Sequence, residues 1–263
     1  MAKQVSKHLK RLGLGLLAAL LISGIWSTAA AAKEPAQVRV GQFIANAELT
    51  VQLQPQSGEQ TAAILSNLTF KQISDYQSLP PGRYTLTVQA ENQVLLRSTY
   101  GLGAGDRYTL TLYGLRPEQP VTNPRTFMAQ LKRIFGGAEA NAVNDYLPQM
   151  ALLHDRASSQ SDAPQVRLVH LAAGIVPITM EIQGVAKPLL SKQLAYPRAS
   201  EAESVEGNVK GLAIALHGGE GAISSQPLPL TPQTLTDIFA VGGLTASQPI
   251  EIVVADPVSK MAS

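Results

Sequence analysis

From residue 36 onward, apolar and polar side chains alternate with a period of two. Val38, Val40 and Gln42 alternate with Arg39 and Gly41, and Leu49, Val51 and Leu53 with Thr50 and Gln52. Tyr84, Leu86 and Val88 likewise alternate with Thr85 and Thr87, and Tyr108, Leu110 and Leu112 with Thr109 and Thr111. This spacing, with threonine on the opposite face, predicts antiparallel strands that bury one side. Turn chemistry falls between them. Pro80-Pro-Gly82 has no place inside a central strand, and Gly103-Ala-Gly-Asp106 allows the positive φ of a tight connection. Further strands are predicted over 165–171, 178–183, 211–216, 222–226, 237–241 and 250–254, with His217-Gly-Gly-Glu-Gly221 as a hairpin turn. Short strands separated by such turns predict an all-β chain of two-sheet, immunoglobulin-like antiparallel sandwiches.

The pattern occurs twice. Val38-Arg-Val-Gly-Gln-Phe-Ile followed by Glu48-Leu-Thr-Val-Gln-Leu returns as Val166-Arg-Leu-Val-His-Leu followed by Pro177-Ile-Thr-Met-Glu-Ile. Arg83-Tyr-Thr-Leu-Thr-Val returns as Gly211-Leu-Ala-Ile-Ala-Leu, and Tyr113-Gly-Leu as Gly242-Gly-Leu. Val166 follows Val38 by 128 positions and Gly243 follows Gly114 by 129, so the offset is nearly constant. A constant offset means one folding unit used twice, each copy about 80 residues and large enough for its own core. The reading is therefore two tandem sandwiches, residues 36–115 and 164–255.

Residues 116–163 between them have a different composition. Asn123 suits an N-cap and Pro124 the first helical position. Phe127, Leu131, Ile134 and Phe135 then fall at i, i+4, i+7 and i+8, one apolar stripe, before Gly136-Gly137 ends the segment. This predicts a short amphipathic helix near 124–135. So short a helix needs a surface, either the protein's own sandwiches or a partner protein. Residues 156–164, rich in Ser, Asp and Ala, read as a flexible linker.

Residues 1–32 stand apart. Lys3, Lys7, Lys10 and Arg11 precede an apolar stretch over 12–25, and Ala30-Ala-Ala32 supplies the small residues of a cleavage site. The stretch is shorter than the roughly 20 residues that span a bilayer, so a cleaved signal peptide is expected, with no stable membrane insertion afterwards. Without the four leader cations, the 21 Lys and Arg fall to 17 against 19 Asp and Glu, a net of −2. That balance argues against a nucleic-acid or anionic-membrane partner. With 0 Cys there are no disulfides and no thiolate chemistry, which suits a bacterial envelope protein.

Candidate chemistry is sparse. His154, His170 and His217 are not spaced as a helical metal pair. His170 ends a strand at the position of Gln42, and two different polar residues there suggest a structural hydrogen bond to the following turn. His217, before its glycine-rich turn, is expected to be exposed. No G-x-S-x-G nucleophile turn exists, and a triple of Ser224 or Ser225 with His217 and Asp237 is one that any chain of this composition allows. Gly101-Leu-Gly-Ala-Gly105 lacks the spacing of a dinucleotide loop. The expectation is no catalytic residue, no metal and no cofactor. Trp26, in the leader, is the sole tryptophan, so sugar stacking would fall to Tyr76, Tyr100 or Tyr113, for which core positions are the plainer expectation.

Two resemblances follow from these motifs. Val38-Arg-Val and Val166-Arg-Leu, with Gln42 and His170, resemble two related groups, one of them exported tandem Ig-like domains of unknown function that open with a VRVVHA-like strand. The other, to which the second copy is closer, is the periplasmic alginate O-acetylation accessory proteins of the AlgF type. The matching residues are Pro188-Leu-Leu-Ser, Arg198-Ala-Ser-Glu, Asn208-Val-Lys-Gly-Leu-Ala-Ile-Ala-Leu-His-Gly-Gly-Glu and Ile238-Phe-Ala-Val-Gly-Gly. The second resemblance implies a periplasmic, non-catalytic adaptor in O-acetylation of an exported polysaccharide. Its partners would be periplasmic or membrane-bound acetylation proteins, a membrane-bound O-acyltransferase among them, and the polysaccharide itself. The family offers no catalytic motif to carry over, and the 116–163 segment is longer than its usual connector. The alternative is an exported cell-surface or matrix protein with tandem Ig-like domains. An acetyl-transferring or deacetylating enzyme stands third.

Overall fold

A computed structural model describes residues 33–57, 63–115, 146–157, 162–185, 189–190, 192–207, 212–218, 221–243 and 249–259. The expected leader over 1–32 and the expected helix near 124–135 lie outside the described residues. The first half contains β1 (Ala36–Ile44), β2 (Leu49–Pro55), β3 (Ala63–Leu68), β4 (Gln77–Leu79), β5 (Gly82–Ala90), β6 (Gln93–Leu102), β7 (Arg107–Gly114) and β8 (Gln149–His154). The second contains β9 (Gln165–His170), β10 (Ile178–Gln183), β11 (Leu189–Leu190), β12 (Arg198–Ala199), β13 (Glu203–Ser204), β14 (Ala213–Gly218), β15 (Gly221–Pro227), β16 (Thr234–Val241), β17 (Glu251–Val254) and β18 (Val258–Ser259). Among the described residues the chain is all β, and no helix is long and apolar enough to cross a membrane.

Both halves follow one plan. The first has sheets ordered β4-β1-β7-β8 and β3-β2-β5-β6; the second has β12-β9-β16-β17 and β11-β10-β14-β15. β13 also pairs with β9, and β18 with β16. Most pairings are antiparallel, but the first strand of each half runs parallel to a late one, β1 with β7 and β9 with β16. Alternation along a strand reports its faces and not its neighbour's direction, so the sequence carried no sign of these parallel pairs.

Each sandwich closes over its own core. Val38, Val40, Leu110 and Leu112 of one sheet meet Leu49, Val51, Leu53, Leu86 and Val88 of the other. In the second half Val166, Leu168, Ile238 and Ala240 meet Ile178, Met180, Ile182, Ile214 and Leu216. Turn chemistry holds the frame as expected: Gly105 adopts φ +74°, and the Tyr84 hydroxyl donates to the Pro80 carbonyl at 2.7 Å.

A third apolar cluster lies outside both sandwiches. Phe43 and Tyr113 from β1 and β7 pack with Val169, Leu171, Phe239 and Val241 from the second half. The sheets that carry them are therefore buried on both faces: all eight residues of β16 are buried, as are β1 residues 38–44. This corrects the expectation of one buried side. The second face is covered by the other half, so the layers stack as outer sheet, inner sheet, inner sheet, outer sheet. Glu34–Ser263 accordingly forms one compact unit. β2 and β10 keep the single-sided alternation that the sequence predicts.

Residues 149–154, left by the sequence reading in the connecting segment, form β8 on the free edge of β7. Met150 and Leu152 face the sandwich core while Ala151 and Leu153 face the junction. With apolar residues on both sides, its period of two disappears from the sequence.

Candidate functional site

The site is the junction itself, and two arginines organise it. Arg39 and Arg167 occupy the same place in the two copies, one residue into the Val-Arg motif, and point away from their own sandwich cores. Across the parallel pairs, Arg39 sits opposite Thr109 and Arg167 opposite Asp237. Arg167 grips Asp237 with two parallel bonds, Nε to Oδ1 at 2.7 Å and Nη2 to Oδ2 at 2.9 Å. Its Nη2 also donates to Asp155 Oδ1 at 3.1 Å, and its Nη1 to the His154 carbonyl at 2.9 Å. Arg39 Nε donates to Thr109 Oγ1 at 2.8 Å, and the Thr109 hydroxyl in turn donates to Asp155 Oδ2 at 2.6 Å. Arg39 Nη1 donates to the Asp256 carbonyl at 3.0 Å. Tyr76 closes the ring: its hydroxyl donates to Asp155 Oδ2 at 2.8 Å, and its face lies 4.9 Å under the Arg39 guanidinium.

Two cations and two anions make the cluster neutral, and it is almost dry. Side-chain exposure is 3 % for Arg39, 12 % for Arg167 and 0 % for both aspartates. Arg39 also lies 3.9 Å from Asp155 and 3.8 Å from Asp237, while its Nη2 has no hydrogen-bond acceptor among the described residues. Burial pushes the Asp237 carboxyl above its ordinary value, with Arg167 pulling it down and nearby Asp155 adding to the push. Burial alone would lower Arg167, but Asp237 and then Asp155 outweigh it and raise the guanidinium. The Tyr76 phenol is raised by burial first and by Asp155 second, so it stays protonated as a donor. Every acid here is engaged by a cation or a donor. The chemistry the arrangement supports is mutual locking of two halves.

Apolar contacts surround the ions. Phe43 meets Phe239 with centroids 4.7 Å apart and rings tilted by 32°. Gly41, where the second copy has Val169, lets the Phe43 ring fold back over its own strand: a Cβ there would sit 2.7 Å from the ring. Tyr196 stands edge-on to Tyr113 at 6.0 Å, with its hydroxyl buried and without a hydrogen-bond partner among the described residues. A small cleft of about 60 Å³ remains beside Tyr113, Ala151, Leu153 and Leu171.

The positions singled out in the sequence divide clearly. Gln42 makes the expected structural bonds, its Nε2 donating to Ile44 and Ala47 carbonyls at 2.8 and 2.9 Å while Oε1 accepts from the Ile44 amide at 2.6 Å. His170 does the same with Nδ1, which accepts from the Ala172 amide at 3.3 Å. Its imidazole is fully buried, and burial lowers it to about 4 against a weaker upward pull from the Val176 and Ile175 backbone. His217 is not simply exposed; it pairs across strands with Glu181 at 2.8 Å. Since Asp237 belongs to Arg167, the Ser–His217–Asp237 triple does not assemble. Tyr76, Tyr100 and Tyr113 are taken up internally, Tyr100 donating to the Met150 carbonyl at 3.2 Å. Phe127, Leu131, Ile134 and Phe135 lie outside the described residues. Sequence reasoning missed Arg39, Arg167 and Asp155. The available signal was an arginine recurring at the same place in two otherwise apolar strands.

Residues 36–130 match the family model "Domain of unknown function (DUF4397)". That match takes in β1 to β7 and stops before β8. Curated proteins give no match. Among solved structures, the tip fimbrial protein Mfa3 from Porphyromonas gingivalis with C-terminal truncation aligns over 84 % of this chain and 99 % of its own. Its identity is 9 % and its TM-score 0.22. The fimbrial anchor protein Mfa2 from the same organism aligns over 86 % of this chain and 100 % of its own, at 9 % identity and a TM-score of 0.21. Superpositions this weak say nothing about shared function.

Proposed function

We propose that this chain is an exported cell-surface or matrix protein whose two sandwiches act as one stiff, non-catalytic body for presenting binding faces. The observation that supports this most is the doubly buried pair of inner sheets, which consumes the ionisable groups of the junction and leaves the outer sheets to meet a partner. Those faces carry exposed apolar side chains, Ile64 on β3 at 59 % and Val94 on β6 at 53 % exposure. The leader-like start of the chain fits export.

A second reading, a periplasmic accessory protein of polysaccharide O-acetylation, is favoured by the motifs of the second half. One experiment separates the two. Intact producing cells are treated with protease and the chain is followed by immunoblot, while polymer acetate is measured in a deletion strain. Surface reading predicts digestion of the chain and unchanged acetate. A protected chain together with lost acetate would replace it with the accessory role.

A further inference from the structure

We infer that the two sandwiches clasp each other's closing strand: Arg167 of the second half holds β8 in the first, and Arg39 of the first holds the β17–β18 connection in the second. β8 is a six-residue strand whose only ladder partner among the described residues is β7. A strand laddered on one side is the weakest part of a sheet, because the other side of its backbone finds no strand. Its last residue is His154, and that carbonyl takes Arg167 Nη1 at 2.9 Å. The next residue, Asp155, takes Arg167 Nη2 at 3.1 Å. One guanidinium from β9 thus closes the end of β8 with two charge-assisted bonds while staying anchored on Asp237.

The reverse contact has the same design. Arg39 is anchored on Thr109 within its own half, and its Nη1 reaches the Asp256 carbonyl at 3.0 Å, two residues beyond β17 and two before β18. Both short strands hang on β16. The two arginines are related by the repeat: Arg167 spends Nη1 and Nη2 on the end of β8 and the residue after it, and Arg39 spends Nη1 on the connection after β17. Opening either strand removes acceptors from the arginine that holds it. That loosens the shared cluster and with it the opposite strand. Coupling of this kind is reciprocal by necessity.

The test is hydrogen–deuterium exchange with mass spectrometry on the full exported chain. The double variant Arg167→Met/Asp237→Asn removes one cation and one anion together, leaves Arg39 and Asp155 balanced, and lies wholly in the second half. It is expected to speed exchange of 149–154 by roughly tenfold to a hundredfold, with the β1–β7 ladder unchanged. Arg39→Met/Asp155→Asn, wholly in the first half, is expected to do the same to 251–259. Exchange that rises only within the substituted half, or evenly over the whole chain, would overturn the clasp.

Discussion

The repeat contains its own rescue experiment. Asp155 is fully buried and accepts from Thr109 at 2.6 Å, Tyr76 at 2.8 Å and Arg167 at 3.1 Å. Asp155→Ala leaves two guanidiniums to share Asp237 in a dry site, a change expected to cost about 3–5 kcal/mol, part of it the roughly 1 kcal/mol for the stranded Tyr76 hydroxyl. The second half shows how to repair this. Opposite its arginine it has Asp237 where the first half has Thr109, and at the ladder position of Asp155 it has Pro257, which carries no carboxylate. Thr109→Asp with Asp155→Ala therefore transplants one half's solution into the other, and Arg39 should grip Asp at 109 as Arg167 grips Asp237. The double variant should recover all but about 1–2 kcal/mol. Urea unfolding of the three proteins, compared through midpoint and slope, measures both steps. A cost below about 1 kcal/mol for the single change, or no recovery in the double, would mean that Asp155 does not balance the two guanidiniums.

Three further outcomes are expected. His170 has a folded value near 4, below its unfolded value, so the unfolded chain binds the extra proton. Stability should be full above about pH 6.5 and fall by about 2–3 kcal/mol as pH drops towards 4; His170→Gln, copying Gln42, should flatten that slope in urea titrations run at several pH values. Gly243 has φ +109° and a Cβ there would sit 2.2 Å from the Ala173 carbonyl, whereas Gly207 at φ +102° has open space. Gly243→Ala should thus lower Tm well beyond Gly207→Ala, which carries backbone strain alone, about 1–3 kcal/mol. Phe239→Ala empties the junction under Phe43 and should cost about 3–5 kcal/mol by chemical denaturation, comparable to a core residue of either sandwich.

The sandwich strands were legible because Leu49–Pro55 and Ile178–Gln183 keep one wet face, so burial wrote a period of two into them. The 128-residue offset likewise announced two similar units. What escaped notice was the packing of one unit on the other. β16 is buried throughout, and a strand covered on both faces reads Leu-Thr-Asp-Ile-Phe-Ala-Val without alternation. β6 escaped for the opposite reason, since most of its side chains are wet and its pattern is weak. The cluster was hidden further because its aspartates sit at different places in the two copies. Compensation between Thr109 and Asp155 on one side, and Asp237 and Pro257 on the other, breaks the match that a repeat search relies on.

The two sandwiches form one body. Because the chain has 0 Cys, a single pair of spin labels at Thr99→Cys on β6 and Ser225→Cys on β15 reports only the separation of the two outer sheets. Three sheet-to-sheet gaps of about 10 Å place those labels roughly 30 Å or more apart. Pulsed electron paramagnetic resonance should return one narrow distance population that broadens in Phe239→Ala. A broad distribution in the unaltered chain would mean that the halves move independently and are not one packed body.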